Sequence, residues 1–361
     1  MTLIVCLSPD THPVLFSDTL LSSESGRPAV ALPSVGQRHD GIESARKLKI
    51  WGCEQKVVQI CTRIVAVWAG DYARARAVLT AVEEVFGAGP VNASFLRTYL
   101  RANHDEALPH VALIFSVLEE VGSTETVWFG CRATVVPPVG QIVFAGSGSD
   151  RFSRYANQIP MRILRAGDYV RIGVAAALQF TGCLLADEMA TGAPLQDSFG
   201  GAYEIATFWG GCSQKISDCV YLFWFPEQDA AGGIAFSLQP RKFIRRYENN
   251  GHTAFYCIEA EPTAGFGAKI TKEELFVMPN FLRRETAVDV SQRRPSLNTT
   301  WQVNVFCVKL RDGSHRIASQ INYRHEARGH PVQFRDVDDL QFEMSIDLES
   351  VRQTLVGLVR R

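Results

Sequence analysis

The residue with the most evident chemical potential is the second one. A chain that begins Met1-Thr2 is expected to lose its methionine, because a small second residue admits an aminopeptidase. Thr2 then holds a hydroxyl and a free α-amine on one residue. An α-amine has an ordinary pKa of ~7.7–8.0, so near neutrality it can take the hydroxyl proton while the oxygen attacks a carbonyl. This is the N-terminal threonine form of nucleophile-plus-base catalysis. Such a nucleophile also needs nearby positive charge and a donor for the developing oxyanion.

Residues that could supply those parts follow in order. Asp18 stands sixteen residues after Thr2, inside Leu15-Phe16-Ser17-Asp18. Lys56 leads Lys56-Val57-Val58 into Ile64-Val65-Ala66-Val67-Trp68-Ala69-Gly70. Further on come Gly146-Ser147-Gly148-Ser149 and Asp197-Ser198-Phe199-Gly200-Gly201. Taken in this order, over roughly residues 2 to 225, the motifs resemble the proteasome β-subunit superfamily of N-terminal-nucleophile hydrolases and the bacterial proteasome-like peptidases.

The resemblance implies roles for these residues. Thr2 is the nucleophile, Lys56 lowers its hydroxyl's pKa, Asp18 holds the lysine, and Gly70 offers its N–H to the oxyanion. Ser147 faces the nucleophile from a Gly-Ser-Gly turn, and Asp197 opens the Asp-x-x-Ser-Gly-Gly turn. Leu21, Ser22, Trp68 and Tyr72 lie where the family has substrate-pocket walls, and the bulk of Leu21, Trp68 and Tyr72 implies a restricted, apolar pocket. The sequence departs from the family at Gly200, which stands where the family has serine, and at Asp71, which replaces a second glycine after Ala-Gly. A Ser22 to Glu43 insertion separates Asp18 from Lys56. No cofactor or metal is expected.

Other motifs fare less well. His325-Glu326-Ala327-Arg328-Gly329-His330 has its histidines one residue too far apart to share a helical face as zinc ligands. Gly265-Phe266-Gly267-Ala268-Lys269 lacks the length and the hydroxyl residue of a phosphate loop. Arg241, Lys242, Arg245 and Arg246, with Phe243 and Tyr247 between them, read as a solvated strand face rather than a nucleic-acid surface. Cys6 falls in an apolar strand and reads as an inert thiol.

Bulk properties narrow the setting. The 37 basic and 38 acidic residues leave a formal net charge of -1, giving no global attraction to nucleic acid or an anionic membrane. The nine cysteines are odd in number and scattered without a C-x-x-C pair, as suits a reducing cytoplasm. No secretory signal is read at the N-terminus. A cytoplasmic protein is expected.

The elements that must position the site alternate hairpins with helices. Leu3 to Leu7 and Val14 to Phe16 form a hairpin, and Lys47 to Trp51, Lys56 to Ile60 and Ile64 to Trp68 read as strands. Asp71 caps a helix whose face carries Ala75, Leu79, Val82 and Phe86, and Gly87 stops it. A second helix carries Phe95, Leu96, Tyr99 and Leu100, and Thr126 to Val136 reads as one strand. A helix capped by Asp168 and ending near Gly192 is apolar nearly all round, so it should lie between layers. Pro226 to Gly233 reads as a linker, and the remainder as β-rich.

The alternation suggests helices layered on packed sheets, and the resemblance implies an α+β fold, a four-layer αββα sandwich of the N-terminal-nucleophile type, with a β-rich C-terminal extension or small second domain. Residues 1–232 form the hydrolase-like domain and 233–361 a β-rich domain. The expected function is threonine-dependent hydrolysis of a peptide or small amide. The alternative is a catalytically inactive assembly or interaction module. A homo-oligomer, dimer or ring, is expected, with an unfoldase or other protein partner able to feed the site, and with no nucleic acid and no membrane.

Overall fold

The structure is a computed structural model, and it describes residues 2–8, 11–23, 31–36, 49–137, 139–158, 169–228, 234–235, 239–249, 251–263, 267–283, 294–325, 329–338 and 340–359. The chain opens with β1 (Leu3–Leu7), β2 (Val14–Asp18), β3 (Leu20–Ser23), β4 (Lys49–Cys53), β5 (Val57–Cys61) and β6 (Ile64–Gly70). Helices α1 (Tyr72–Phe86) and α2 (Ala93–His104) follow, then β7 (Val111–Leu118), β8 (Thr124–Phe129), β9 (Arg132–Val136) and β10 (Gly140–Gly146). Next come α3 (Ser149–Gln158), α4 (Tyr169–Thr191), α5 (Ala193–Gln196), β11 (Tyr203–Trp209), β12 (Cys212–Lys215) and β13 (Cys219–Trp224). After the short β14 (Glu227–Gln228) and β15 (Ile234–Ala235) stand β16 (Lys242–Asn249), β17 (His252–Pro262) and β18 (Gly267–Met278). The chain closes with β19 (Trp301–Lys309), β20 (His315–Tyr323), β21 (Val332–Asp336), β22 (Gln341–Ile346) and α6 (Leu348–Val359).

Strand alternation decides how these stack. A six-stranded sheet runs β12-β11-β2-β1-β10-β9, and a four-stranded one runs β5-β6-β7-β8. Ile4, Cys6, Leu15 and Val143 of the first meet Val57, Val65, Val67 and Ile114 of the second in one buried cluster. The residues between them point the other way: Leu3, Val5, Val14 and Phe16 pack on α3 and α4. Trp68, Ala66 and Phe115 of the four-stranded sheet pack on α1 and α2 through Ala75, Leu79, Val82 and Leu96. Helix α1 is capped as its sequence suggests, with Arg74 N–H donating to Asp71 at 2.9 Å.

The four-layer αββα sandwich is not the architecture. The protein is mostly β, 47% strand against 25% helix, and it includes a curled half-barrel. Helix α4 is the physical reason. Its residues from Gly173 to Glu188 are all buried, so covering one side would leave the other exposed. The far side packs on Tyr221, Phe223, Val303 and Val305 of a ten-stranded sheet. A helix layer is thus not outermost there, because a third sheet lies over it. By length and composition α4 could cross a membrane, at mean hydropathy 1.4, but 78% of that stretch is buried inside the protein.

The ten-stranded sheet runs β15-β14-β19-β13-β16-β17-β18-β22-β21, with β20 beside β19. Strand β13 lies within it, parallel to β19 and antiparallel to β16. It curls so that Phe243 of β16 meets Phe334 of β21 and Phe342 of β22 at 5.9 and 5.3 Å between ring centroids. Val351 and Leu355 of α6 fill the same core.

Smaller expectations also change. The run read as one strand, Thr126 to Val136, is divided between two sheets, because Gly130 at φ +65° turns the chain between β8 and β9. Arg245 and Arg246, read as solvated, are buried. Arg245 binds the Ser296 carbonyl at 2.9 Å and Asp218 at 2.7 Å, and Arg246 donates to the Ile205 carbonyl at 3.3 Å. Asp168, most of the Ser22 to Glu43 insertion, Gly265 and Phe266, and Glu326 to Arg328 lie outside the described residues.

Candidate functional site

Three side chains from three segments converge at one end of the sheets. Thr2 immediately precedes β1, Asp18 ends β2 and Lys56 precedes β5. The Lys56 ammonium donates to Thr2 Oγ1 and to the Leu20 carbonyl, and it lies 3.2 Å from Asp18 Oδ1. The Thr2 hydroxyl in turn donates to Asp18 Oδ1. All three are shut from water: Thr2 is 1% exposed, Asp18 and Lys56 0%.

A buried carboxylate needs donors to offset lost hydration, and the backbone provides them. Asp18 Oδ1 accepts from Leu3 N–H at 2.8 Å, and Oδ2 accepts from Leu20 N–H at 3.2 Å and Gly200 N–H at 3.0 Å. The β1–β2 register, with Ile4 opposite Ser17, brings Leu3 N–H to that carboxylate. Lys56 is aimed through its backbone. Glu204 of β11, fully buried, accepts from Lys56 N–H at 2.8 Å and Val57 N–H at 3.1 Å, while its other oxygen binds Lys215 and Thr253, each at 2.9 Å. Burial works to raise the Glu204 pKa, but Lys215 and Arg246 outweigh it and hold it below the usual carboxylate value.

Burial also lowers the Lys56 pKa, although Asp18 pulls it upward. A lysine so shifted gives up its proton more readily than a surface lysine. Trp68 covers its other side, the ring centroid 5.9 Å from Nζ.

The Gly146-Ser147-Gly148 turn packs on Thr2 from the opposite strand. Gly146 has φ +101°, and a Cβ there would stand 2.0 Å from the Thr2 carbonyl oxygen, so only glycine fits. Ser147 Oγ lies 3.3 Å from both the Thr2 and the Ser198 carbonyl oxygens, either of which can accept its one proton, and Gly148 N–H donates to the Thr2 carbonyl at 3.3 Å.

The remaining residues named from sequence are placed less directly. Gly70 ends β6 at φ +102°, where a Cβ would meet the His110 carbonyl at 2.5 Å. None of the hydrogen bonds among the described residues joins Gly70 to Thr2. Asp197, at the end of α5, pairs with Arg151 at 2.7 Å, and Arg151 also pairs with Asp187 at 3.2 Å, which ties α3 to α4. Leu21 and Ser22 lie in β3, Leu21 against the cluster that holds Trp68.

Trp68 and Tyr72 do meet, at 5.8 Å, but a third ring joins them. Phe281, which follows β18, lies 5.0 Å from Trp68 and 5.6 Å from Tyr72 and is 2% exposed. The expected pocket wall is therefore filled by the C-terminal part of the chain. Sequence reading missed Phe281, Glu204 and Glu188. For Glu204 a signal existed, since a lone carboxylate inside the apolar run Ala202 to Phe208 must find a partner.

Among the described residues no group of His, Cys, Asp and Glu is arranged to hold a metal ion. Cys6 is buried in β1. His330 Nε2 lies 2.7 Å from the Thr299 carbonyl oxygen. No protein-family model matches the chain, and no curated protein matches it in sequence.

Proposed function

We propose that the protein is a threonine-dependent amide-bond hydrolase, a peptidase by preference, that acts through Thr2 after removal of Met1. The observation that carries this reading is the contact of the Lys56 ammonium with the Thr2 hydroxyl, both held by Asp18. Isolated hydroxyls are poor nucleophiles, and a buried lysine of lowered pKa beside one is an activating arrangement.

The steps follow from the groups present. Thr2 Oγ1 attacks the substrate carbonyl carbon, its proton passes to the α-amine, and Lys56 stabilises the charge left near the oxygen. The tetrahedral intermediate collapses as the C–N bond breaks and the α-ammonium returns its proton to the leaving amine. The ester on Thr2 is then hydrolysed: water loses a proton to the amine, attacks the ester carbon and expels Oγ1, which takes the proton back. The resemblance to N-terminal-nucleophile hydrolases supports the assignment and gives Gly70 as the oxyanion donor.

The competing reading, an inactive assembly module, draws on the burial of Thr2 and on Asp71 and Gly200, where the family pattern is broken. Intact mass tests whether the amine is free, since retained Met1 blocks it. Labelling with a β-lactone or epoxyketone probe tests whether Thr2 is reactive despite its burial and those departures. Adduct formation on Thr2 in the wild type and none in Thr2→Ala is the expected result, and equal labelling of both sinks the proposal.

A further inference from the structure

Position 200 is glycine where the family resemblance implies serine, and Glu188 occupies the space a side chain there would need. Gly200 has φ +126°, and a Cβ built on it would stand 2.1 Å from Glu188 Oε2. Glu188, near the end of α4, is 1% exposed. Its Oε1 and Oε2 accept from Gly201 N–H at 3.1 and 3.0 Å, and Oε1 also accepts from the Ser34 hydroxyl. The adjoining Gly200 N–H donates to Asp18 Oδ2 at 3.0 Å. Two neighbouring N–H groups of one turn are thus held by two carboxyls, Asp18 on one side and Glu188 on the other.

We infer that Glu188 is a positioning residue for the Thr2 site, acting as its anion through the Gly200–Gly201 turn to fix Asp18. The inference rests on the proposed reading of Thr2 for its catalytic consequence, and on the geometry alone for the clasp. Every hydrogen-bond partner described for the Glu188 oxygens is a donor, so the setting suits the carboxylate. A proton on Oε2 would face Gly201 N–H, which can only donate, and loosen the turn.

The surroundings nonetheless work against ionisation. Burial pushes the Glu188 pKa up to about 8, with Asp18 of β2 adding to the rise, while Ser34, Gly201 and Lys242 of β16 pull it down. Cys53 of β4 and Tyr203 of β11 also face it. Burial raises the thiol to about 12 and the phenol well above its ordinary value, so neither titrates in the same range. Lys242 is shared, donating to the Ser34 carbonyl and lying 3.7 Å from Glu259. Glu188 also lines a cavity of about 870 Å³, with Lys242, Thr191 and Glu259 on its walls, so bulk protons need not cross the Thr2 site to reach it.

The test compares wild type, Glu188→Gln and Thr2→Ala, measuring the rate of Thr2 labelling by a β-lactone probe across about two pH units on either side of 8. In the wild type the α-amine, with its ordinary pKa of ~7.7–8.0, must lose a proton and ionisation of Glu188 speeds the reaction further, so the logarithm of the rate climbs with a slope above about one, toward about 1.5. Glu188→Gln keeps the shape but cannot ionise. It should match the wild type at the acid end, climb with a slope of about one, and lag about tenfold above pH 8, the worth of one hydrogen bond.

A Glu188→Gln profile parallel to the wild type at every pH overturns the inference. Absence of Thr2-dependent labelling in the wild type would instead remove the proposed function. The clasp is then read by amide hydrogen exchange at Gly200 and Gly201, as the ratio of wild-type to Glu188→Gln protection. For local opening of the turn with Glu188 still buried, a ratio that rises as pH passes about 8 supports the inference, and a constant or falling ratio overturns it.

Discussion

Lys56→Met keeps most of a buried stem and deletes the ammonium that lies 3.2 Å from Asp18 Oδ1. At that separation, with an effective dielectric constant of about 20, the Coulomb attraction is about 5 kcal/mol before desolvation is subtracted. Breaking one side of a buried pair costs about 3–5 kcal/mol, because the remaining charge stays buried without its counter-ion. Asp18 retains three backbone N–H donors, from Leu3, Leu20 and Gly200, so the loss should fall near the low end, about 3 kcal/mol. Asp18→Asn strands Lys56 in the same way, at about the same loss. The double variant leaves no stranded charge, so its loss should fall short of the two single losses combined by about 2–3 kcal/mol. Urea unfolding of the four proteins measures this directly, and added salt should change the coupling little, since neither group is exposed. Losses that add to within about 0.5 kcal/mol would show that the pair is not energetically coupled and that the reasoning from geometry fails.

Two further outcomes are expected. Phe281→Ala removes a buried ring from Trp68 and Tyr72 and should destabilise by about 3–5 kcal/mol with a red-shifted tryptophan emission; a loss under about 1 kcal/mol would mean that the ring is not packed as described. Glu188 should make stability pH-dependent. Its pKa in the fold stands at about 8 against an ordinary 4.5, so the folded state binds the proton more tightly and stability is lost as pH rises through that interval, by at most about 5 kcal/mol. Glu188→Gln should therefore gain on the wild type between those limits in denaturation series, and a constant difference would refute it.

What the sequence shows depends on how local the cause is. The β1–β2 hairpin and the Asp71 cap of α1 are written in short-range patterning, and the structure has both. Thr2, Asp18 and Lys56 stand at the ends of such elements, so their order along the chain already suggests one neighbourhood. The architecture was not legible. Strands β16 to β18 carry Lys242, Arg245, Arg246, Glu248, Lys269, Lys272, Glu273 and Glu274, residue types that weaken a strand signal, yet Arg245 and Arg246 turn inward and β18 leaves many of its charges in water. Nor could any local pattern say that Phe281 would join Trp68, or that Glu188 would fill the space beside Gly200. Those are contacts between segments far apart in sequence, decided by how α4 is enclosed.

The enclosure of α4 also sets an order of events during synthesis. Its outer face is covered by β19 and β20, and β20 ends roughly 130 residues after α4 does. At about 5–20 residues per second a nascent chain carries that apolar helix without its full cover for roughly 7 to 26 seconds. Until then a helix long and apolar enough to cross a membrane lacks its outer cover, so a chain truncated after β13 is expected to expose that face and aggregate, which light scattering of the truncated protein would measure.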